Sequence, residues 1–224
     1  LYTFGVSFTS MERVLVTGGA GFIGSNIVNM LADDYNVTVL DNGYLGDKQN
    51  IDDRVKFVNR SVNEKKLPTD VDTLFHLAAL SSYYMHENAP VEGAQVNLGG
   101  FVNVAEQCIE NGCENIVYSS TSAIAPTPGE HSINTAYEAS LKCREVYAEY
   151  MNNFYGVTIT GLRIPRRERL LRRTDLGHVG EVIALRGRWT ASRTQHHCSE
   201  GVGLGLTSPA LSVVGIARVG DDVG

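Results

Sequence analysis

The sequence has few cysteines, and this scarcity excludes one class of stabilised protein. Its 224 residues contain four cysteines, and none of them stands in a Cys-x-x-Cys pair. Four such residues are too few for the disulfide framework on which small secreted domains depend. We therefore expect reduced thiols with a packing role, and a cytoplasmic location.

Long apolar runs and an excess of basic residues are missing as well. The apolar stretches are short and interrupted by polar residues, so no membrane span is predicted. Residues 1–10 lack the positive start and small-residue cleavage site of a secretory signal, and we treat them as an N-terminal extension without function. The formal net charge of -6 argues against a nucleic-acid surface, which needs a concentrated basic face.

The end of the chain lacks several residue types altogether. Residues 165–224 contain no Lys, Tyr, Phe or Asn, but nine Arg and nine of the 23 Gly. Formal charge is -9 before this break (10 basic minus 19 acidic) and +3 after it (9 minus 6). We interpret residues 165–224 as an atypical tail and expect disorder or loose packing there. His196, His197 and Cys198 lack a fourth spaced ligand, so no metal site is predicted.

Short β-branched runs alternate with helix-spaced apolar positions along the rest of the chain. Strands are predicted at residues 13–17, 37–40, 55–58, 74–79, 115–118 and 157–160, and helices at 22–31, 91–108 and 137–155. This alternation predicts an α/β fold: a Rossmann-like, doubly wound parallel sheet with helices on both faces. Ligands of such sheets bind at the carboxyl ends of the strands, near the switch point.

Three glycines between the first predicted strand and the first helix indicate a dinucleotide site. Gly18 allows a sharp turn, Gly21 a close approach of the backbone to a pyrophosphate, and Gly24 close packing of the helix. The helix N-terminus offers free N–H groups and a positive dipole end. Asp41 follows Gly24 by 17 residues and would accept the ribose hydroxyls. Because this carboxylate would repel a 2′-phosphate, NAD is favoured over NADP; a merely structural turn is the alternative.

Five segments together resemble the extended short-chain dehydrogenase/reductase family, in particular its NAD-dependent nucleotide-sugar epimerases and dehydratases. They are VLVTGGAGFIGSNIV, VTVLDN, LFHLAAL, VNLGGFVNVAEQC and IVYSSTSAI, and they occur in the family's order and spacing. The resemblance covers residues 11–164 and implies an NAD-binding domain that acts on a nucleotide sugar. It also implies a homodimer formed through the helices at 91–108 and 137–155.

The resemblance further implies which residues bind the cofactor and which react. The implied cofactor-binding residues are Gly18, Gly21, Phe22, Ile23, Gly24, Asp41, Asn42, Ser61, Val62, Leu77, Ala78, Ala79, Asn97 and Tyr137. Ser61 departs from the family, because an aspartate usually meets the adenine there and a serine supplies only a hydroxyl. The implied catalytic residues are Thr121, which orients the sugar oxygen, Tyr137, which transfers the proton, and Lys142. His76 is interpreted as a packed strand histidine.

The interval between Tyr137 and Lys142 departs from the family as well. A phenol with a reference pKa near 10 needs a nearby positive charge to act as a base near neutrality. The family places a lysine four residues after the tyrosine, about 40° away around the helix, whereas a lysine five residues on lies about 140° away. Leu141 occupies the family position. We expect Lys142 to point away from Tyr137 and catalysis to fall sharply, while the cofactor could still bind.

The family's substrate domain, which follows the sixth strand, has no counterpart in residues 165–224. It is missing or replaced by an unrelated tail. Codons of the form GAR-CGN-CTN-CTN-CGN for residues 168–172, read one base later, decode Asn-Val-Tyr-Tyr-Gly, which resembles the family's continuation; we hypothesise an out-of-frame tail. Three functions stay open: a truncated epimerase or dehydratase, a catalytically silent NAD-binding module, and a small-carbonyl reductase of the same fold.

Overall fold

One sheet of seven strands organises the residues that the computed structural model describes, which are 11–124, 133–164 and 183–186. The strand order is β3-β2-β1-β4-β5-β6-β7. The strands are β1 (Arg13–Thr17), β2 (Asn36–Asp41), β3 (Lys56–Asn59), β4 (Thr73–His76), β5 (Asn115–Thr121), β6 (Thr158–Ile164) and β7 (Ile183–Arg186). All pairs from β3 to β6 are parallel, which confirms the predicted Rossmann-like sheet.

The strand β7 lies in the tail and was not predicted. It pairs antiparallel with β6, with Thr160 opposite Arg186 and Arg163 opposite Ile183. The rest of the tail, including the segment 196–198, lies outside the described residues. The domain boundary at residue 164 stays a prediction.

The helices lie in the predicted segments, except α2, which was not predicted. They are α1 (Phe22–Leu31), α2 (Tyr83–Asn88), α3 (Pro90–Ala94), α4 (Gly100–Glu110) and α5 (Ala136–Tyr155), with short 3-10 turns at Lys48–Asn50 and Ser122–Ile124. A π-helical turn, Gln95–Gly99, joins α3 to α4, so the predicted helix at 91–108 is one helical run with a wider turn inside it. Within the described ranges, none of the helices combines the length and apolar character that crossing a bilayer requires.

Alternating strand residues supply two separate cores, one on each face of the sheet. Leu15, Leu74 and Ile116 pack on one face with residues of α4 and α5, including Phe101 and Met151. Their strand neighbours pack on the other face, against α1; these include Val14, Val16, Phe75 and Val117. Because successive strand side chains point to opposite faces, both faces of the sheet are buried, as in a doubly wound fold.

The helix α5 has a well-defined start and end. Thr135 accepts a hydrogen bond from the Glu138 N–H, and the Glu138 side chain bonds back to the Thr135 N–H, which forms a capping box. Gly156 ends the helix in the left-handed conformation, with φ of 72°. The helix is therefore regular from its first turn, and the phase argument for Tyr137, Leu141 and Lys142 applies to it.

The chain reverses its winding direction between β1 and β4, and the functional residues gather there. Strand β1 pairs with β2 on one side and with β4 on the other. The Gly18 N–H donates to the Leu40 carbonyl (2.9 Å), and the Leu77 N–H donates to the Thr17 carbonyl (3.0 Å). Three strand ends are thus held together at one edge, where a crevice opens.

Candidate functional site

A cleft of about 810 Å³ lies along the carboxyl ends of the strands, within the size range of small-molecule sites. Most of the predicted site residues line it; they are Gly18, Gly21, Phe22, Ile23, Gly24, Asp41, Asn42, Ser61, Val62, Leu77, Ala78, Ala79, Thr121 and Tyr137. Asn97 and Lys142 are not among the lining residues. The structure therefore brings the two groups of predicted residues, cofactor-binding and catalytic, to one cavity.

The glycine turn leaves no room for side chains at two of its positions. Gly18 has φ of +69°, and a Cβ atom there would lie 2.7 Å from the Ala78 nitrogen. A Cβ atom at Gly24 would overlap the Gly18 carbonyl oxygen, so α1 approaches β1 only because this residue is glycine. No side chain caps the N-terminus of α1 at Gly21, which leaves the positive end of the helix facing the cleft. This arrangement fits a diphosphate.

Asp41 joins the end of β2 to the glycine turn. Its Oδ2 accepts a hydrogen bond from the Ala20 N–H (3.1 Å), and its Oδ1 accepts one from the Gly43 N–H (2.9 Å). Each carboxylate oxygen has two lone pairs, so both retain the capacity to accept a hydrogen bond from a hydroxyl group. The carboxylate is thus fixed at the cleft wall, and the residues present fit the ribose of a dinucleotide such as NAD.

The far end of the cleft, next to β3, carries a hydroxyl and a guanidinium. Ser61 donates its N–H to Glu64 Oε1 (2.8 Å), and its hydroxyl oxygen accepts the Asn63 N–H (3.3 Å). Arg60 lines the same end, held by Glu64 Oε2 (2.7 Å) and the Lys66 carbonyl (3.0 Å). The Ser61 N–H and the Arg60 guanidinium lower the pKa of Glu64. An adenine would therefore meet Ser61 and Arg60 here rather than a carboxylate.

The opposite end of the cleft contains the predicted reacting hydroxyls. Tyr137 is half-buried, and its ring lies edge-on to the His86 ring, with the centroids 5.5 Å apart. Thr121 is buried at the end of β5, and its Oγ1 accepts the Ala123 N–H (3.3 Å), so the hydroxyl hydrogen is left to donate. A phenol and a hydroxyl on one cavity wall suit the binding of a sugar oxygen and the transfer of its proton.

Leu141, rather than Lys142, lies beside Tyr137 in the cleft. Leu141 is 2% exposed and lines the cavity. The Lys142 ammonium lies 3.4 Å from Glu145 Oε2, on another side of α5. The regular helix thus places the two side chains in the directions that the spacing predicted, and the structure does not bring Lys142 to the cleft.

Glu145 anchors α5 to the sheet beneath this end of the cleft. Its carboxylate accepts hydrogen bonds from the Ser120 hydroxyl (2.7 Å) and from Arg163 (Nε 2.9 Å, Nη2 2.8 Å). Burial alone would raise the pKa of Glu145, but the hydrogen bonds from Arg163 and Ser120 outweigh it and the net shift is downward. This ion pair fixes the position of α5, and with it that of Tyr137.

Asn97 lies below the cleft and holds the loop that follows β4. It is fully buried; its Oδ1 accepts the Leu80 N–H (2.8 Å), and its amide nitrogen lies 3.2 Å from the Leu80 carbonyl and 3.1 Å from Ser140 Oγ. His86 Nε2 lies 2.9 Å from the same Leu80 carbonyl. The residue predicted to bind the cofactor directly therefore lies one layer behind the lining, where it positions Leu80.

His76 lies inside the sheet, away from the cavity lining. It is fully buried, and its Nδ1 lies 3.0 Å from Thr17 Oγ1, while no partner for Nε2 is present in the described part of the chain. Burial, and next the nearby Arg144 charge, hold the pKa of His76 well below its usual value, so the ring is neutral. It is packed in the interior, as its sequence context indicated.

Part of the lining was not predicted from the sequence. Aromatic and apolar side chains from the loop after β2 and from the start of α2 form the rim; they are Tyr44, Leu45, Tyr83 and Tyr84. Their signal was the pair of aromatic clusters that follow two strand ends, Gly-Tyr-Leu and Ser-Ser-Tyr-Tyr. The buried Arg144 beneath the tyrosine end was also missed. Across the described ranges, no cluster of three or more His, Cys, Asp or Glu residues could hold a metal ion.

Known proteins are similar to this chain over 56–67% of its length. The UDP-glucose 4-epimerase of Mycolicibacterium smegmatis is 32% identical over 165 residues, which cover 65% of this chain and 53% of that protein. The UDP-glucuronic acid decarboxylase 1 of Danio rerio is 31% identical over 132 residues, with coverages of 56% and 31%. The crystal structure of the Thermus thermophilus UDP-glucose 4-epimerase complex with NAD matches with a TM-score of 0.61 and 34% identity, over 67% of this chain and 54% of that one.

The chain therefore spans about half the length of such an epimerase and about a third of such a decarboxylase. The family model for NAD-dependent epimerases and dehydratases matches residues 14–168, which include every predicted site residue. The predicted family and its cofactor agree with these findings, and the chain belongs to the NAD-dependent epimerase/dehydratase family.

Proposed function

We propose that this chain is the cofactor-binding half of an NAD-dependent nucleotide-sugar epimerase or dehydratase. One observation carries the proposal: a single cleft holds the glycine turn and Asp41 at one end and Thr121 and Tyr137 at the other. The names of the relatives, which act on UDP-glucose or UDP-glucuronic acid, support a nucleotide sugar as the substrate class. When bound, NAD would supply the acceptor and donor of a hydride.

The residues of the chain have separate tasks in this proposal. The first turn of α1 would hold the diphosphate, and Asp41 would hold the adenosine ribose. Thr121 orients a sugar hydroxyl by a hydrogen bond. Tyr137 takes the proton of that hydroxyl and later returns it. Gly18 packs against Ala78 at the cleft, where a side chain would not fit.

Leu141 supports a second candidate function, a catalytically silent NAD-binding module. An apolar side chain occupies the place from which a cation would stabilise the ionised phenol. A module of this kind would bind NAD and would not turn over a sugar. No feature of the described residues specifically favours the third candidate function, a small-carbonyl reductase.

Incubation of the full chain with NAD and a set of UDP-sugars distinguishes these candidates. We expect NADH absorbance at 340 nm or an epimerised product, and a loss of at least about a hundredfold in rate for Tyr137→Phe. Tyr35→Phe is the control, because Tyr35 packs on the α1 face of the sheet, away from the cleft. NAD binding without turnover would favour the silent module, and absence of NAD binding would contradict both.

The partner and the location are proposals as well. Four aromatic side chains lie exposed along α5 and contact each other; they are Tyr147, Tyr150, Phe154 and Tyr155. An exposed apolar surface of this kind supports a homodimer, which a monomeric mass in sedimentation equilibrium would contradict. Cys108, Cys113 and Cys143 are free thiols, which supports the cytoplasm as the location; secretion of the protein from intact cells would contradict it.

A further inference from the structure

Arg144 is a buried cation that has no role among the residues named for the proposed reaction. Its side chain is fully buried in α5. Nε donates to the Asn97 carbonyl (2.8 Å), Nη1 to the Ser119 carbonyl (3.0 Å) and Nη2 to the Ala78 carbonyl (3.4 Å). Within the described residues, all its hydrogen-bond acceptors are thus uncharged main-chain oxygens. Burying a guanidinium without a carboxylate in its hydrogen-bond set is costly.

The guanidinium lies directly under the tyrosine end of the cleft. Ala78 and Ser119, two of its three carbonyl partners, line the cavity just beyond β4 and at the end of β5. Phe101 packs against the other side, with its ring centroid 5.6 Å from the guanidinium carbon. The positive charge is therefore hydrogen-bonded to the backbone of residues that line the cleft, and the arginine side chain itself is excluded from water.

The helix places Arg144 on the same face as Tyr137. Seven residues separate them, so the two side chains leave α5 about 20° apart, whereas Lys142 leaves it about 140° from Tyr137. Side chains on an α-helix lean toward its N-terminus, and Arg144 follows Tyr137 in the chain. The long arginine side chain is therefore directed back toward the tyrosine, along the face that packs on the sheet.

The charges of the two groups interact. Burial lowers the pKa of Arg144 to about 10, and the phenols of Tyr137 and Tyr118 oppose this shift. Because such an interaction acts on both partners, the guanidinium favours the phenolate of each tyrosine. Tyr118, however, is buried within the sheet, where desolvation and next the Glu145 charge raise its pKa. Of the two phenols, Tyr137 is the one that opens onto the cleft.

We propose that Arg144 is a positioning residue for Tyr137: it supplies, through the floor of the cleft, the positive charge that favours the ionised phenol. This inference rests on the proposed role of Tyr137 in proton transfer. The proposal also bears on Leu141. Although Leu141 occupies the family's lysine position beside the tyrosine, Arg144 still provides a cation on the same helix face. The other charged or titratable groups on the surrounding elements are His86 on α2, His76 on β4, Tyr118 on β5, Arg163 on β6, and Glu138, Lys142 and Glu145 on α5.

Titration of the full chain labelled with ¹³Cζ-tyrosine tests the proposal, with the Tyr137 resonance assigned from Tyr137→Phe. We expect Tyr137 to titrate at least about one pH unit below the usual value near 10. Arg144→Met should return it to the usual value, Arg144→Lys should retain most of the shift, and Lys142→Gln should leave it unchanged. A structural role alone would not produce this dependence on charge.

An ordinary titration of Tyr137 in the wild-type chain would overturn the proposal, and so would a shift that Lys142→Gln abolishes. Should Arg144→Met fail to fold, the wild-type, Arg144→Lys and Lys142→Gln titrations still decide between the two cations. The readout requires neither NAD nor a sugar. Failure to bind NAD or to turn over a substrate would therefore contradict the proposed function while leaving this titration as a separate result.

Discussion

The two ends of the cleft differ in the kind of atoms that form them. At the diphosphate end, backbone atoms dominate: the turn at Gly18, the uncapped start of α1 and the Ala20 N–H that Asp41 accepts. At the tyrosine end, side chains dominate, and their directions depend on helix phase and on buried contacts. A one-residue displacement of a charge, such as that of Lys142, changes the second end and has no counterpart at the first. We therefore expect cofactor binding and catalysis to be separable in this fold.

The largest expected effect tests the backbone end. Gly24→Ala places a methyl group against the Gly18 carbonyl oxygen, so the turn and α1 must move apart. We expect a loss of about 1–3 kcal/mol in the free energy of unfolding and at least about a hundredfold weaker NAD binding. Gly99→Ala is the matched control, because a Cβ atom there meets nothing within 4 Å. Urea denaturation and calorimetric titration with NAD measure both quantities; equal effects of the two substitutions would contradict the account.

The next effect tests the side-chain end. Exchanging the residues at 141 and 142, in the double variant Leu141→Lys, Lys142→Leu, places an ammonium group beside Tyr137 in the cleft. We expect at least about a tenfold gain in UDP-sugar-dependent turnover, because the phenolate gains a second nearby cation. NAD affinity should change little. A rate that stays the same or falls, with NAD binding intact, would show that helix phase does not limit the chemistry.

Asp41 allows the discrimination between two cofactors to be measured. Asp41→Asn keeps an acceptor oxygen but removes the negative charge that faces a 2′-phosphate. We expect about tenfold weaker NAD binding and a smaller preference for NAD over NADP. Asp34→Asn, at an exposed position beyond α1, is the control. The ratio of the two dissociation constants is the measurement, and an unchanged ratio would exclude Asp41 as the determinant.

His76 lies between the two ends, and its effect is the smallest. The buried ring stays neutral, whereas the ring in the unfolded chain takes up a proton below a pH of about 6.5. The unfolded state therefore binds more protons in this range, and the free energy of unfolding decreases as the pH is lowered. We expect His76 to contribute a slope of about 1.4 kcal/mol per pH unit below that value. In His76→Gln this contribution should vanish. Urea denaturation between pH 5 and 7.5 measures it, and identical slopes would contradict the burial of a neutral ring.

The elements that depend on local sequence could be predicted. The bounds of β1 and α1 agree with the prediction, because a β-branched run, three glycines and helix-spaced apolar residues are all short-range signals. Strand β6 is longer than predicted because it pairs with β5 along seven residues, up to Thr121 opposite Ile164. That length is decided by the partner strand and has no signature within β6 itself.

Contacts between distant segments could not be predicted. Asn97 lies in a segment that resembles the cofactor-binding helix of the family, but its side-chain amide bonds to the Leu80 backbone instead of lining the cleft. In the sequence, nothing distinguishes Arg144 from the other charged residues of its helix. Its role follows from carbonyl groups at Asn97, Ala78 and Ser119, which come from three other segments. Such information exists only in the folded chain.

Titration calorimetry of the full chain with NAD, and in parallel with NADP, tests the central claim most directly. Because the backbone end of the cleft is complete, we expect saturable one-to-one binding of NAD, tighter than that of NADP, with or without turnover of a sugar. No saturation at NAD concentrations of about 1 mM would mean that the cleft binds too weakly for a cofactor site and would contradict the account.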